Sequence, residues 1–334
     1  MARRSVDWLL AARMQANCLA RPVNEAGPGG VADVVRRAGG FQAQTWRGAS
    51  YAVRARSTAT TLADVSTAQE TDRSVMRGWF MRGTIQLVAT EDAGPLLGLL
   101  GPKLIKDTER RYGELGLTER IRAEATDVLE DWLLAHGPSN RAELADVLVR
   151  AGLIAEPKGQ AVYALIRHAG LLGRLCYGPG ETWVAVRGWL GKPLVLEGDP
   201  EDLARRYLTA YGPATARDFA TWSGLPVPLA RRAVEAVATT SFEIETTELH
   251  AVDDLPGCHD VRLLGEFDTY LLGYQNRHFD LPTSIFPGGG MLRPAVVQAG
   301  RPIGTWQHAT LAVDLFEPAD VSQELADIKR FSDG

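Results

Sequence analysis

Two glutamines, Gln42 and Gln44, are separated by one alanine in the segment Gly40–Arg47. They lie in a stretch, Val34 to Ala63, that holds five arginines and no acidic residue, although the whole chain has a net charge of −5. A local positive field in an acidic protein indicates a polyanionic ligand. A glutamine amide offers an uncharged acceptor and donor. The two glutamines are therefore candidates for a binding or catalytic role in which an uncharged amide is more suitable than a charged side chain.

The backbone that carries the pair decides whether both amides face one site. On an extended backbone, alternate side chains project the same way, so Gln42 and Gln44 would point together. From residue types alone, the more common explanation is that the two glutamines cap helix ends or lie in a loop.

The composition is that of an ordinary soluble protein. The chain has 334 residues, 45% hydrophobic and 23% charged, which predicts two to four folding units. No apolar run is long enough to span a membrane, and the apolar stretch after the basic N-terminus contains charges, unlike a signal peptide. Cys18, Cys176 and Cys258 are far apart and odd in number, which indicates reduced thiols. We therefore expect a cytoplasmic, nucleoid-associated monomer.

A repeat sets the predicted architecture. Ala135–Pro138 and Ala210–Pro213 are similar in sequence and lie 75 residues apart, each inside a series of helical patterns that ends in two short β-like runs. Helix, helix, helix and a two-stranded wing is the winged-helix order. The sequence therefore predicts four domains: a divergent winged helix carrying the glutamines in 1–115, winged helices in 116–192 and 193–258, and a β-rich module with a closing helix in 259–334.

The motifs that the chain lacks exclude several enzyme classes. It has no zinc-deaminase pattern, no Walker loop, no Gly-x-Ser-x-Gly and no metal-ligand spacing among its six histidines. We therefore expect no metal and no nucleotide cofactor. Basic, acid-free segments recur along the chain. One such segment is more often a solvated face, but several together with winged-helix order favour binding to DNA.

Several motifs resemble one known family, the winged-helix DNA glycosylases of the AlkZ and YcaQ type. The resemblance covers nearly the whole chain. It implies a mainly α fold with β wings (α+β), in which three tandem winged-helix units and a small β-rich domain form a C-shape. The motifs that carry it are Phe41–Gln44, Arg54–Ser57, Met81–Val88, Gly265–Leu272 and Asn276–Arg277.

The resemblance also implies an activity. Members of this family remove N7-alkylated purines from double-stranded DNA, including both sides of interstrand cross-links, and some protect a producer from its own DNA-alkylating antibiotic. Their catalytic motif is Gln-x-Gln or Gln-x-Asp, which corresponds here to Gln42 and Gln44. Alanine is smaller than the usual residue between them.

The resemblance assigns Gln42 and Gln44 to positioning a water and stabilising a cationic sugar. Trp46 belongs either to the core or to a lesion pocket. No lysine lies near the motif, so a Schiff-base lyase step is not expected. The predicted DNA contacts are Trp46, Arg47, Arg54, Arg56, Arg82, Arg277 and His278.

Two other functions fit the same elements. A non-catalytic winged-helix transcriptional regulator would bind a defined operator and release no base. A structural protein would use its winged helices to bind protein partners, and its affinity for DNA would not depend steeply on salt.

Overall fold

The computed structural model describes residues 2–253 and 260–334, and the chain forms two compact units. Unit 1 contains Met1–Ala68, Leu87–Ala89 and Pro200–Gly334, and unit 2 contains Gln69–Gln86 and Thr90–Asp199. The beginning and the end of the chain therefore fold together in unit 1.

The helices and strands are numbered in chain order. The amino-terminal elements are β1 (Ala2–Arg4), α1 (Val6–Ala16), α2 (Gly27–Arg37), β2 (Phe41–Gln42), α3 (Trp46–Arg54), α4 (Leu62–Glu70), β3 (Val75–Trp79), β4 (Ile85–Ala89), α5 (Thr90–Asp107) and α6 (Glu109–Glu114). The middle elements are α7 (Glu119–His136), α8 (Arg141–Arg150), α9 (Gln160–Leu171), β5 (Leu175–Tyr177), β6 (Trp183–Ala185) and α10 (Val186–Leu190). The carboxy-terminal elements are α11 (Pro200–Tyr211), α12 (Ala216–Ser223), α13 (Val227–Val237), β7 (Thr240–Ile244), β8 (Thr247–Ala251), β9 (Val261–Leu264), α14 (Thr269–Leu272), β10 (Ala295–Gln298), β11 (Arg301–Trp306), β12 (Val313–Leu315) and α15 (Ser322–Asp333).

Unit 2 contains the first predicted repeat, and its element order is confirmed. Helices α7, α8 and α9 are followed by the antiparallel strands β5 and β6, with Cys176 opposite Val184. Helix α8 begins where expected because Asn140 and Glu143 form a capping box, in which each side chain accepts from the other residue's backbone N–H. The wing packs beside β3 in the order β3-β5-β6.

Unit 1 contains the second predicted repeat, again in the expected order, with α11, α12 and α13 before the antiparallel pair β7 and β8. Strand β1 runs parallel to β7, with Ala2 opposite Phe242. The N-terminus therefore extends the wing of this repeat. Ser5 caps α1, since its hydroxyl accepts from the Trp8 N–H at 3.1 Å.

The β-rich module in unit 1 is a four-stranded antiparallel sheet in the order β12-β11-β10-β9, closed by α15 as predicted. Side chains alternate between its two faces. Leu263 and Trp306 pack with Ile328 of α15, whereas Leu264 and Val297 pack in a cluster that includes Met14. Each of these buried apolar side chains contributes about 1.5–3 kcal/mol. The sheet is thus buried on both faces.

Three local predictions differ from the structure: the sequence pattern predicts a helix over residues 6–19, a helix over residues 31–39 and a β run over residues 79–90. Helix α1 ends at Ala16, before Cys18, whose φ of 57° is left-handed. Helix α2 begins at Gly27, earlier than the periodicity indicates, because a proline in the first helical turn loses no hydrogen bond. The continuous β run predicted for residues 79–90 is interrupted by a 3₁₀ turn at Met81–Gly83.

The mixed helix-and-strand fold is confirmed, whereas the number of winged-helix units and the four-domain division remain predictions. The predicted boundary at residues 258 and 259, and Cys258 with it, lies outside the described residues. Cys18 and Cys176 are free thiols. Within residues 2–253 and 260–334, no helix combines the length and apolarity that crossing a membrane requires.

Candidate active site

A double-glycine turn determines where the glutamine segment begins. Helix α2 is followed by Gly39 and Gly40, with φ of 70° and 93°, and the Gly40 N–H donates to the Val35 carbonyl at 3.0 Å. A Cβ on Gly39 would lie 3.6 Å from ring atoms of both Tyr211 and Trp222. The turn therefore packs against the aromatic side chains of α11 and α12.

The glutamine segment has alternating burial. Phe41 and Ala43 are fully buried, Gln42 is half-buried and Gln44 is exposed. Strand β2, which ends at Gln42, neighbours β4 in a sheet, and residues 87–89 of β4 belong to unit 1. A period of two is what the expected extended backbone would give, but the strand itself ends at Gln42 and Gln44 lies in a bend.

Thr45 links the glutamine segment to the β-rich module. Its Oγ1 accepts from the Gly48 N–H at 3.0 Å, which caps α3, and donates to Glu266 Oε1 at 2.8 Å. Arg47 Nε donates to the same carboxylate oxygen at 3.2 Å. Glu266 lies just after β9. Its side chain therefore holds the start of α3, where the glutamine segment becomes helical, against the β-rich module.

Glu266 is an ionised, nearly buried carboxylate. Its second oxygen accepts from His308 Nε2 at 2.5 Å, and the His308 ring contacts Tyr51 and Trp306, with ring centroids 4.4 and 4.3 Å away. Burial alone would raise the pKa of Glu266. Hydrogen bonds from His308, its own backbone N–H and Thr45 instead lower that pKa to about 2. The carboxylate is therefore a permanent acceptor at neutral pH.

The roles of Glu266 and His308 were missed by the sequence reasoning. Glu266 lies in a motif that carries the family resemblance, but no function was assigned to it. His308 follows it by 42 residues, and nothing in its local sequence marks it as a partner. An acidic residue directly after a predicted strand was the one available signal.

The structure contradicts two predicted DNA contacts, Arg54 and Arg56. Arg54 is buried, and its guanidinium binds Glu324 at 3.0 Å and Asp327 at 3.2 Å. Arg56 is fully buried and binds both oxygens of Asp268, at 2.8 and 2.9 Å. Buried charges must be paired, and these two have internal partners. Neither guanidinium is available to a phosphate.

The other predicted DNA contacts in unit 1 lie on two segments. Trp46 is half-buried at the start of α3, and the Arg47 side chain is 61% exposed. Arg277 and His278 lie in the loop that follows α14. Burial lowers the pKa of both, and His278 adopts a left-handed φ of 60°. Their role as DNA contacts remains a prediction.

Two buried charges hold that loop. Asp218 Oδ1 accepts from the backbone N–H groups of Gln275 at 2.8 Å and Asn276 at 3.2 Å. Arg13 Nη1 donates to the Asn276 carbonyl at 3.2 Å, and its guanidinium lies 3.8 Å from the Tyr274 ring centroid. The backbone beside Arg277 is thus fixed within unit 1. The remaining predicted contact, Arg82, lies in unit 2 on the 3₁₀ turn and is half-buried.

The close approach of α3 to Glu266 gives a stability prediction. A Cβ on Gly48 would lie 2.6 Å from the Glu266 carbonyl oxygen, so Gly48→Ala should force the two backbones apart. We expect the free energy of unfolding to fall by about 1–3 kcal/mol, measured by urea denaturation.

Gly113→Ala is the matched control, since Gly113 lies in a helix with nothing within 4 Å of its added Cβ. That change should leave the stability unchanged or raise it by up to about 1 kcal/mol. Equal stabilities for the two variants would show that α3 and Glu266 are not in tight contact.

Known proteins resemble this chain over most of its length. A family model described as AlkZ-like DNA glycosylase matches residues 35–326. An interstrand DNA cross-link repair glycosylase of Streptomyces sahachiroi is 28% identical over 309 residues, which cover 82% of this chain and 81% of that protein. The solved structure of Streptomyces sahachiroi DNA glycosylase AlkZ matches with a TM-score of 0.84 at 26% identity, covering 99% of this chain and 97% of that one. The resemblance is therefore confirmed, and the chain belongs to the AlkZ-like DNA glycosylase family.

Proposed function

We propose that this DNA glycosylase is monofunctional and hydrolyses the N-glycosidic bond of N7-alkylated purines in double-stranded DNA. Bulky adducts and interstrand cross-links are included, since a relative is named as a cross-link repair glycosylase. The observation that carries the proposal is the alternating burial of residues 41–44, in which Phe41 and Ala43 are buried whereas Gln42 is half-buried and Gln44 is exposed.

The chemistry of the substrate explains why neutral amides suffice. Alkylation at N7 leaves the purine positively charged, so it departs without first being protonated. The enzyme has to orient a water and tolerate an oxocarbenium-like sugar. A glutamine oxygen accepts a hydrogen bond from the water and directs the negative end of its dipole towards the positive charge. We assign Gln42 and Gln44 to these two tasks jointly.

The charges around the segment fit the same reaction. Glu266 remains ionised at neutral pH because its pKa is about 2, so it does not supply a proton to the leaving base. It contacts Thr45 and Arg47, which makes it a positioning residue. A lyase step needs an amine at the sugar. The five lysines all follow residue 102 in the sequence, so none lies in the segment that carries the glutamines.

The test is the release of free base from alkylated duplex DNA, detected by chromatography. We expect free N7-alkylguanine and a DNA strand that stays intact until the abasic site is cleaved with alkali. Duplexes with a methyl group, a bulky adduct and an interstrand cross-link would establish how large a lesion is accepted. Specific binding to one operator sequence without any base release would instead support a transcriptional regulator.

A further inference from the structure

A second basic site lies in unit 2. It is a cavity of about 530 Å³ into which three arginines converge, Arg111 from α6, Arg141 from α8 and Arg167 from α9. We call this cavity the arginine pocket. Gln160 and Tyr163 complete its polar lining, and none of the described residues that line it is acidic.

The arginines of the pocket are held in place mainly by neutral groups. Arg141 Nη2 donates to the Gly159 carbonyl at 2.7 Å, and Arg167 Nη1 donates to Thr108 Oγ1 at 3.1 Å. Over residues 2–253 and 260–334, neither guanidinium has a carboxylate within 4.0 Å. Arg111 binds Glu114, a carboxylate that Arg110 shares. The pocket therefore keeps a net positive charge.

This surplus is unusual in a chain that has 41 acidic and 36 basic residues. Several other arginines of unit 2 are neutralised locally, since Arg122 binds Glu109 at 2.8 Å, and Arg174 and Arg187 both bind Glu130. Arginines that are ordered by neutral contacts but lack a counter-ion are free to bind an external anion.

The other polar groups of the pocket also present donors. The Tyr163 hydroxyl accepts from Trp79 Nε1 at 3.0 Å, which leaves its own hydrogen to donate. The Gln160 oxygen accepts from Arg111, which leaves its NH₂ group to donate. Planar guanidinium groups bind phosphate oxygens through paired N–H donors. The ligand class that matches a lining of this kind is a phosphate ester.

We propose that the arginine pocket binds the phosphodiester backbone of double-stranded DNA. The proposal rests on DNA being the substrate and adds a contact on a different unit from the glutamine segment. Two of its three arginines lie on α8 and α9, the second and third helices of a predicted winged-helix repeat, which is the part of that fold that docks on a duplex. The 3₁₀ turn that carries Arg82 lies beside it, because a Cβ on Gly83 would collide with the Arg167 guanidinium.

The test measures the affinity of the full-length protein for an unmodified duplex by fluorescence anisotropy at several salt concentrations. Arg141→Gln combined with Arg167→Gln should weaken binding by about tenfold or more. It should also flatten the plot of log affinity against log salt by about 0.9 for each phosphate that the variant no longer binds. Because no lesion is present, this result does not depend on whether the glutamines catalyse base release.

Arg110→Gln is the control for Arg141→Gln alone, since each change removes one positive charge and the Arg110 side chain is 92% exposed and outside the pocket. Arg141→Gln alone serves if the double variant unfolds, because Arg141 is on the surface. Affinity and salt slope equal to those of the Arg110 variant would overturn the proposal. The proposal would also be overturned if the Arg141 and Arg167 variant no longer bound a mononucleotide but bound the duplex as tightly as the parent.

Discussion

Replacing Gln44 with alanine should slow the release of N7-alkylguanine by about 10²–10³-fold, because one group that orients the water or stabilises the sugar cation is removed. Gln44 is exposed, so the free energy of unfolding should not change. Gln42→Ala should slow the reaction to a similar degree. The measurement is the single-turnover rate on alkylated duplex DNA, with binding and thermal stability recorded for each variant.

The double variant separates a joint role from two independent ones. If both amides position the same water, Gln42→Ala with Gln44→Ala should lose little more than either change alone. Gln323→Ala on α15 is the control, since it removes an exposed amide far along the chain from the motif. Release at the parental rate by both single variants, with unchanged DNA binding, would show that the catalytic assignment is wrong.

Arg56→Met should lower the free energy of unfolding by about 3–5 kcal/mol, because it leaves the Asp268 carboxylate buried without its counter-ion. Both side chains are fully buried. Burial alone would lower the pKa of Arg56, but Asp268 raises it, so the guanidinium is charged in the folded protein. Its carbon Cζ lies 5.0 Å from the ring centroid of Phe41, next to Gln42. Urea denaturation measures the change in stability.

A pair in the same unit whose arginine is exposed supplies the control. Arg37 binds Asp33 at 2.6 Å, but the Arg37 side chain is 60% exposed. Arg37→Met should therefore lower the stability by no more than about 1 kcal/mol. Adding Asp268→Leu to Arg56→Met should restore part of the missing stability, since no buried charge then remains unpaired. An Arg56 variant no less stable than the Arg37 variant would contradict the buried pair.

Local signals made much of the fold predictable. A cap at Ser139 or Asn140 and the stops at Gly137-Pro138 and Gly212-Pro213 predicted helix ends in the two repeats, because capping and helix termination act over a few residues. Asn140 is the residue that caps α8. Alternating apolar and polar residues predicted strands of the β-rich module, including one over Val261–Gly265, and β9 begins at Val261.

Long-range pairing was not predictable in the same way. The stretch from Val34 to Ala63 contains no acid, so Arg54 and Arg56 looked available for DNA. In the folded chain, Glu324 and Asp268 reach them from 270 and 212 residues away. Charge along a sequence therefore differs from charge in space. The pairing of His308 with Glu266 depends in the same way on the tertiary fold.

The anchoring of the glutamine segment by distant residues has a consequence for the synthesis of the protein. Thr45, which caps α3, leaves the ribosome 221 residues before Glu266, which accepts the hydrogen bond of its hydroxyl. His308, the other partner of Glu266, follows later still. The glutamine segment of a nascent polypeptide therefore lacks these contacts until translation is nearly complete. Premature termination before these residues yields a protein whose glutamine segment lacks its anchors, however well its N-terminal helices form.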